Sequence, residues 1–262
     1  MRAVVVGAGI AGSSLALALR DAGHEAVVVS DPASALDSLS AAAVLRRAWH
    51  AGAERDTYDR TLALYAARGV EVVRGGWATS YQRPGAEPRW DKDWALMDPA
   101  APLISADVAG HAVPHGPAGV RVNGTVIDGD RVFWCPGAHA RQCAGETWGV
   151  TWVHDDPAVL AQIDGLTVHM VAPYKTIVAG VVGGHVRLGS SSAATPDKAM
   201  AQADKLLALF GHVGLVTSLK GWTARLGRRV QRTGGATIGG LHRTGYAVAP
   251  AMAEAIVRAS AS

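Results

Sequence analysis

The sequence predicts an α/β fold that begins with a βαβ unit and continues into a smaller antiparallel sheet. The βαβ unit is indicated by the apolar, β-branched run 2–6, which leads into the glycine-rich segment 7–12 and then into an alanine-rich stretch. The antiparallel sheet is indicated by residues 167–188, where three β-branched runs are separated by turn residues. A chain of 262 residues is long enough to bury a sizeable core.

Hydrophobic spacing and glycine positions predict the elements of the first half of the chain. In order, they are a strand over 2–6, a helix over 13–20, a strand over 25–29, helices over 40–49 and 57–68, and a strand over 70–73. The segment 75–102 is rich in tryptophan, proline and charge and has no sustained period, so we expect it to be irregular with short strands.

The second half is predicted to consist mainly of short strands joined by tight turns. The expected strands are 120–122, 125–127, 131–134, 167–172, 176–182 and 185–188, with hairpin signals at Asn123-Gly124, Asp128-Gly129 and Gly183-Gly184. Two helices are expected near the end of the chain, over 196–210 and 250–259.

The composition is that of an ordinary globular protein. Hydrophobic residues make up 49% and charged residues 18%, and no apolar run is long enough to span a bilayer. Two cysteines, Cys135 and Cys143, cannot form a disulfide framework, which favours free thiols and a cytoplasmic location. The net charge of +3 permits an anionic substrate or partner. The eight tryptophans are scattered and not interleaved with basic residues, which favours core and interface positions over a nucleic-acid stacking platform.

The glycine-rich segment predicts a dinucleotide-binding turn. Gly7 would permit the tight turn, Gly9 would let the backbone approach a pyrophosphate, and Gly12 would let helix and strand pack closely. The N–H groups at the start of the following helix favour bound phosphate. Asp31 follows the second strand at the spacing expected for a ribose-binding acid, although Ser30 could take that role. This pattern is compatible with either FAD or NAD.

Several further segments resemble the glycine oxidase, sarcosine oxidase and D-amino acid oxidase group of flavoproteins. They are Ser40-Ala41-Ala42-Ala43, Val132 to Ala138, Val171-Ala172-Pro173 with Leu188-Gly189-Ser190, and Gly240 to Pro250. The resemblance implies an FAD-binding Rossmann-like βαβ fold of the glutathione-reductase type with a small antiparallel-sheet substrate domain. It implies a discontinuous FAD-binding domain over 1–74, 103–148 and 221–262, and a reduced substrate domain over 75–102 and 149–220, because the chain is shorter than is usual in the group.

The resemblance also implies which residues contact FAD. They are Gly7, Gly9, Ile10, Ala11, Gly12, Ser30, Asp31, Ser40, Ala41, Ala42, Gly137, Ala138, Arg243, Thr244, Gly245 and Tyr246. Neither cysteine lies near the end of the chain, where members of the group attach flavin covalently, so non-covalent FAD is expected. The N-terminus of a helix beginning near Pro250 would face the flavin.

The substrate-facing residues implied by the resemblance are mainly arginines. Arg243 is the first choice for a clamp on a substrate carboxylate, since a guanidinium offers a planar pair of donors. A second arginine is either Arg225 or Arg228, depending on the direction in which the motif is counted. His242 and Tyr246 are further candidates for substrate contact. No metal site is expected.

The leading functional hypothesis is FAD-dependent oxidation of a glycine-like amine. A hydride passes from the carbon next to nitrogen to the flavin, and water hydrolyses the resulting imine. A second hypothesis keeps this chemistry but acts on a glycine adduct of a modified thymine in viral DNA, cleaving it as a lyase to leave an aminomethyl base. A non-catalytic flavin-binding protein and an NAD-dependent dehydrogenase are also compatible with the glycine fingerprint. The expected partner is a small amine or amino acid, or DNA carrying such a base, and no membrane.

Overall fold

The computed structural model describes residues 1–32, 38–41, 43–80, 87–137, 146–161, 166–172, 175–212, 220–230 and 245–260. Within these ranges the strands form a four-stranded parallel sheet, an eight-stranded mixed sheet and a three-stranded antiparallel sheet. The strands are β1 (Arg2–Val6), β2 (Glu25–Ser30), β3 (Val44–Arg46), β4 (Val72–Ser80), β5 (Arg89–Met97), β6 (Val108–Ala109), β7 (Ala112–His115), β8 (Gly119–Val122), β9 (Thr125–Asp128), β10 (Arg131–Trp134), β11 (Glu146–His154), β12 (Leu166–Ala172), β13 (Lys175–Val182), β14 (His185–Ala193) and β15 (Thr223–Val230). The helices are α1 (Ile10–Asp21), α2 (Ala53–Ala67), α3 (Pro157–Leu160), α4 (Pro196–His212) and α5 (Gly245–Ser260), with a 3₁₀ turn at Arg47–Trp49.

The parallel sheet has the strand order β10-β1-β2-β6 and contains the predicted βαβ unit. Helices α1 and α5 cover one face, where Val5, Leu15 and Val257 belong to one buried apolar cluster. The three-stranded sheet covers the other face, where Val4 packs with Val120. Because both faces are covered, the strands can be apolar throughout, as parallel strands usually are.

The large sheet has the order β15-β11-β14-β13-β12-β4-β5-β3, and its pairs are antiparallel except β12 with β4. Helix α4 packs on one face through Ala199 and Ala203, which contact the side of β11 that carries Val150. The indole N–H of Trp152 donates to the carbonyl oxygen of Ala203 at 2.9 Å. The side chains that point away from α4 therefore lie on the opposite face of this sheet.

Most predicted elements are confirmed, including the βαβ unit, the strand runs after residue 166 and the helix from Pro196. The Asn123-Gly124 turn has two positive φ angles, 49° and 84°, as a two-residue hairpin requires. The hairpin predicted at Asp128-Gly129 is wrong, because β10 leaves β9 and pairs in parallel with β1. The Asp130 carboxylate accepts a hydrogen bond from the Arg2 backbone N–H at 2.6 Å and helps fix this crossing.

Three more predictions about the elements were wrong. The helix predicted over 40–49 is replaced by β3 and a 3₁₀ turn, since Val44 and Leu45 pair with β5 and this tertiary pairing outweighs the helix propensity of the alanines. The segment 75–102, expected to be irregular, contains most of β4 and β5, which are nine residues each. The closing helix begins at Gly245 and not near Pro250.

Pro250 is tolerated inside α5 because a side chain replaces the missing backbone bond. A proline has no N–H to donate to the carbonyl four residues earlier, which belongs to Tyr246. The hydroxyl of Tyr65 on α2 donates to this buried carbonyl oxygen at 2.7 Å. The contact also joins α2 to the first turn of α5.

The predicted domain boundaries stay a prediction. Strands β3 and β15 of the large sheet lie in ranges that the resemblance assigns to the FAD-binding domain. No helix in the described ranges is long and apolar enough to cross a membrane.

Candidate functional site

The turn between β1 and α1 depends on two of its three glycines for its shape. Gly7 has φ +107°, and a Cβ there would overlap the carbonyl oxygen of Cys135. A Cβ on Gly12 would overlap the carbonyl oxygen of Gly7. The clashes involve backbone atoms, which cannot move aside cheaply. These two positions therefore hold β1, α1 and the end of β10 in close contact.

Gly9 has different surroundings. Its φ of −66° and ψ of −178° are accessible to any residue, and among the described residues a Cβ would meet only the Ser38 Oγ, at 3.0 Å. The backbone N–H of Ile10 donates to the same Oγ at 3.1 Å. The next N–H groups belong to the first turn of α1, where helix geometry provides no carbonyl partner, and that turn contains no acidic residue. Gly9 thus leaves backbone donors open to an approaching anion.

Ser30 and Asp31, the two candidates for the ribose, have distinct positions. Ser30 is the buried last residue of β2; its hydroxyl accepts from the Ala8 N–H at 3.1 Å and donates to the Asp31 carbonyl at 3.2 Å. Asp31 follows the strand directly and its side chain is exposed. Ser30 therefore holds the turn, while Asp31 stands at the surface beside it.

Tyr246 links the glycine turn to the large sheet. Its ring is buried, and its hydroxyl shares its hydrogen between the carbonyl oxygen of Ser38, at 2.8 Å, and the carbonyl oxygen of Pro99, at 3.0 Å. Burial raises the pKa of this hydroxyl well above its usual value, while the hydrogen bond to Ser38 opposes the shift. A substrate contact by Tyr246, which stays a prediction, would compete with these two bonds.

A polar cluster lies on the face of the large sheet opposite α4, on the adjacent strands β14, β11 and β15. Arg187 is directly opposite Val153, and Thr151, two residues away on the same face, is directly opposite Arg225. Arg187 is only 3% exposed and Thr151 is fully buried. The sequence had indicated Arg225 but neither Arg187 nor Thr151.

Arg187 forms an ion pair in which its Nη2 lies 3.1 Å from Asp98 Oδ1. In the described part of the chain, three buried atoms of this cluster have no hydrogen-bond partner: Arg187 Nε, Arg187 Nη1 and Thr151 Oγ1. Burial lowers the pKa of the Arg187 guanidinium; Asp98 opposes that shift, and the positive charge of Arg225 adds to it. Among the described residues, the cluster is therefore a buried, incompletely paired cation with an unpaired hydroxyl on the same face.

The remaining predicted residues lie around the same region or outside the described residues. Ser40 is buried and Ala41 half-buried just after Ser38, Gly137 has φ +55° after the end of β10, and Gly245 is the buried first residue of α5. Arg228 lies on β15, and its side chain is outside the described part of the structure. Ala42, Ala138, His242, Arg243 and Thr244 also lie outside the described residues.

Cys135 is free and buried below the glycine turn, and burial raises the pKa of its thiol to about 12. Its backbone carbonyl contacts Gly7. The residue therefore belongs to the packing of the turn.

Arg187 and Thr151 could not have been identified from the sequence alone. Val186, Arg187 and Leu188 are all buried, so both faces of this part of β14 are covered. A charged residue inside such a run has no solvated side to face, and buried charges are usually paired or functional. The sequence shows the arginine between two apolar residues but does not show that its face is covered.

No family model and no curated protein matches the chain. Solved structures do match. The glycine oxidase from Bacillus cereus ATCC 14579 has a TM-score of 0.67 at 13% identity, covering 98% of this chain and 94% of that one. The iminodiacetate oxidase from Chelativorans sp. BNC1 has a TM-score of 0.69 at 17% identity, covering 98% and 95%. The glycerol-3-phosphate dehydrogenase from Bacillus halodurans, solved in complex with FAD, has a TM-score of 0.64 at 15% identity, covering 100% of this chain and 64% of that one. The chain therefore has the fold of these oxidoreductases, which confirms the predicted fold class.

Proposed function

We propose that this protein binds FAD non-covalently across the glycine turn and oxidises a glycine-like amine. The observation that carries the proposal is the contrast within the turn: Gly7 and Gly12 are required for its shape, whereas Gly9 leaves backbone donors accessible at the start of α1. A glycine that the fold itself does not require is expected where a ligand approaches the backbone closely.

The residues around the turn fit FAD. The pyrophosphate would receive N–H groups from the first turn of α1, where the helix dipole also favours negative charge. The exposed Asp31 carboxylate would accept hydrogen bonds from the ribose, since the Ser30 hydroxyl is already used by Ala8 and Asp31 backbone groups. The glycerol-3-phosphate dehydrogenase that was solved with FAD has the same fold, which supports FAD over NAD as the cofactor.

When bound, FAD would supply the acceptor for a hydride from the carbon next to the amine nitrogen, and dioxygen would accept the electrons afterwards. The chain would orient the substrate. Arg225, on the face of the large sheet opposite α4, and Arg243 would hold a carboxylate so that the reacting carbon is correctly placed. The amine nitrogen would release a proton to solvent as the carbon–nitrogen double bond forms, and water would then hydrolyse the imine to a carbonyl product and a free amine.

The absorbance spectrum of the purified protein tests this proposal first. We expect a visible flavin band, released as free FAD on denaturation. Anaerobic mixing with glycine or sarcosine should bleach the band, and ethylamine, which lacks the carboxylate, should not. A colourless protein that refuses added FAD would refute the proposal. A bound flavin that no amine reduces would identify a non-catalytic flavin-binding protein.

A second candidate is cleavage of a glycine adduct on a modified thymine in DNA. The observation that favours it is a pair of surface tryptophans, Trp77 and Trp90, which are 47% and 57% exposed and lie opposite each other on β4 and β5. Their rings are 5.4 Å apart and nearly perpendicular. Exposed Arg89 and Lys92 lie on the same strand. Exposed indoles next to basic residues can stack on bases and contact phosphates. The predicted core position is wrong for Trp77 and Trp90, because both side chains are exposed.

Mass spectrometry of nucleosides from glycine-modified DNA treated with the protein tests this candidate. We expect Trp77→Ala and Trp90→Ala to slow the reaction on DNA and to leave oxidation of free glycine unchanged. Buried Trp94 lies further along β5 and is not a suitable control, since its removal would leave a core cavity. Equal effects of the two surface substitutions on both substrates would count against a DNA substrate.

A further inference from the structure

We propose that Arg187 and Thr151 form a binding site for a carboxylate group, in addition to the carboxylate contact that the resemblance assigns to Arg243, and that the substrate is an amine carrying two acidic groups. The inference rests on the proposed function for the identity of the amine. The anion-binding property itself rests only on the polar cluster of β14, β11 and β15.

The side chains of Arg187 and Thr151 share one face of the large sheet. Val153 stands directly opposite Arg187, and Thr151 lies two residues from Val153 on the same side of β11, so Arg187 and Thr151 are diagonal neighbours. A diagonal separation on a sheet is within reach of a long side chain such as arginine. The opposite side of β11 is packed by α4.

Within the described residues, three hydrogen-bond donors of these two side chains are unused. Among the described residues, Arg187 Nε, Arg187 Nη1 and Thr151 Oγ1 are buried without a partner. Buried polar groups in native proteins are nearly always hydrogen-bonded, and an exception indicates an ordered water, an ion or a functional role. A carboxylate is acceptor-only, so it suits guanidinium and hydroxyl donors.

The Arg187 charge is influenced by Asp98, Asp155 and Arg225. Asp98 is the one carboxylate within ion-pair distance of Arg187 in the described structure, and it contacts only Nη2. Arg225 lies opposite Thr151 and repels the Arg187 charge, while Asp155 acts on both arginines from further away. Asp98 occupies only the Nη2 side of Arg187 and Asp155 acts only from further away, so no carboxylate of the described residues contacts the Nε and Nη1 side, where a substrate carboxylate would bind.

These residues differ from the Arg243 segment, to which the resemblance assigns one substrate carboxylate. A substrate that fills both sites therefore carries two acidic groups. Glycine itself would leave the Arg187 site without an anion, so a dicarboxylic amine should be preferred.

Anaerobic calorimetry on the FAD-loaded protein tests the inference with iminodiacetate and N-ethylglycine, in which a methyl group replaces one of the two carboxylates. We expect iminodiacetate to bind at least about tenfold more tightly, as one charge-assisted contact would give. Thr151→Val keeps the side-chain shape and should reduce this preference several-fold, and Arg187→Met should abolish it. Thr61→Val is the matched control. Thr61 on α2 is also fully buried, but its hydroxyl accepts a hydrogen bond from the Ala251 N–H on α5, away from the polar cluster.

The outcomes separate this inference from the proposed function. If both amines bind equally to the wild-type protein, or if Thr151→Val and Thr61→Val change the preference alike, the Arg187 site is refuted. A crystal structure with iminodiacetate in which only ordered water contacts Arg187 would also refute it. If the preference is found but the flavin is never reduced, the anion site stands and amine oxidation does not. Should Arg187→Met fail to fold, the Thr151→Val comparison still decides.

Discussion

The Gly9→Ala substitution separates ligand binding from folding in the glycine turn. The backbone angles of Gly9 suit alanine, and the new methyl would meet only Ser38 Oγ at 3.0 Å among the described residues. We therefore expect the apoprotein to lose about 1 kcal/mol of stability or less, the worth of one hydrogen bond between Ser38 and Ile10. The methyl would occupy the approach to the N–H groups of α1. Loss of one charge-assisted hydrogen bond to the pyrophosphate, roughly 1.5–3 kcal/mol, should weaken FAD binding about tenfold to a hundredfold.

Urea unfolding of the apoprotein and fluorescence titration with FAD measure the two effects separately. Gly23→Ala is the matched control. Gly23 follows α1 with φ +78°, and no atom lies within 4 Å of the added Cβ. Backbone strain should therefore lower the stability by about 1 kcal/mol, and the FAD affinity should not change. The reasoning fails if Gly9→Ala binds FAD as tightly as the wild-type protein, or if both substitutions alter stability and affinity in the same proportion.

Three further predictions concern the surrounding packing. Cys135, whose thiol pKa is raised to about 12 by burial, should resist alkylation at about pH 8 in the native protein and react on unfolding, and rapid native labelling would contradict its burial. Tyr65→Phe should cost about 1–3 kcal/mol, because the Tyr246 carbonyl beside Pro250 would lose its donor; a change below about 0.5 kcal/mol in urea unfolding would show that water replaces the hydroxyl. Burial lowers the pKa of His50, an effect opposed by Glu54, so the unfolded chain binds the proton more readily and stability should fall as the pH drops below 6.5. This fall in the urea midpoint should be smaller in His50→Phe, and an unchanged pH profile would contradict the assignment.

The fold was predictable where local sequence and tertiary pairing agree. The run 2–6, the glycines and the run 25–29 specify strand, turn and helix by themselves, and the structure has these elements at nearly the predicted positions. The segment 40–49 shows the opposite case, since its alanines favour a helix while β5 offers Val44 and Leu45 a pairing partner. Only the tertiary structure decides between these two.

The site was predictable only in part, for a similar reason. The glycine turn is local, so its three positions could be assigned from spacing alone. Arg187 and Thr151 gain their character from a covered sheet face formed by three strands that are distant in sequence. The start of α5 was placed too late because Pro250 usually marks a first turn, and the Tyr65 hydroxyl that permits it inside the helix comes from α2.

The central position of β1 has a consequence for biosynthesis. This strand is synthesised well before its parallel neighbour β10 and before α5, the helix that packs beside α1. Contacts between such distant segments form slowly, because long loops must close before any burial stabilises them. The nascent β1 segment therefore keeps apolar surface exposed until β10 and α5 have been made, and a chaperone that shields it during translation should raise the yield of native protein.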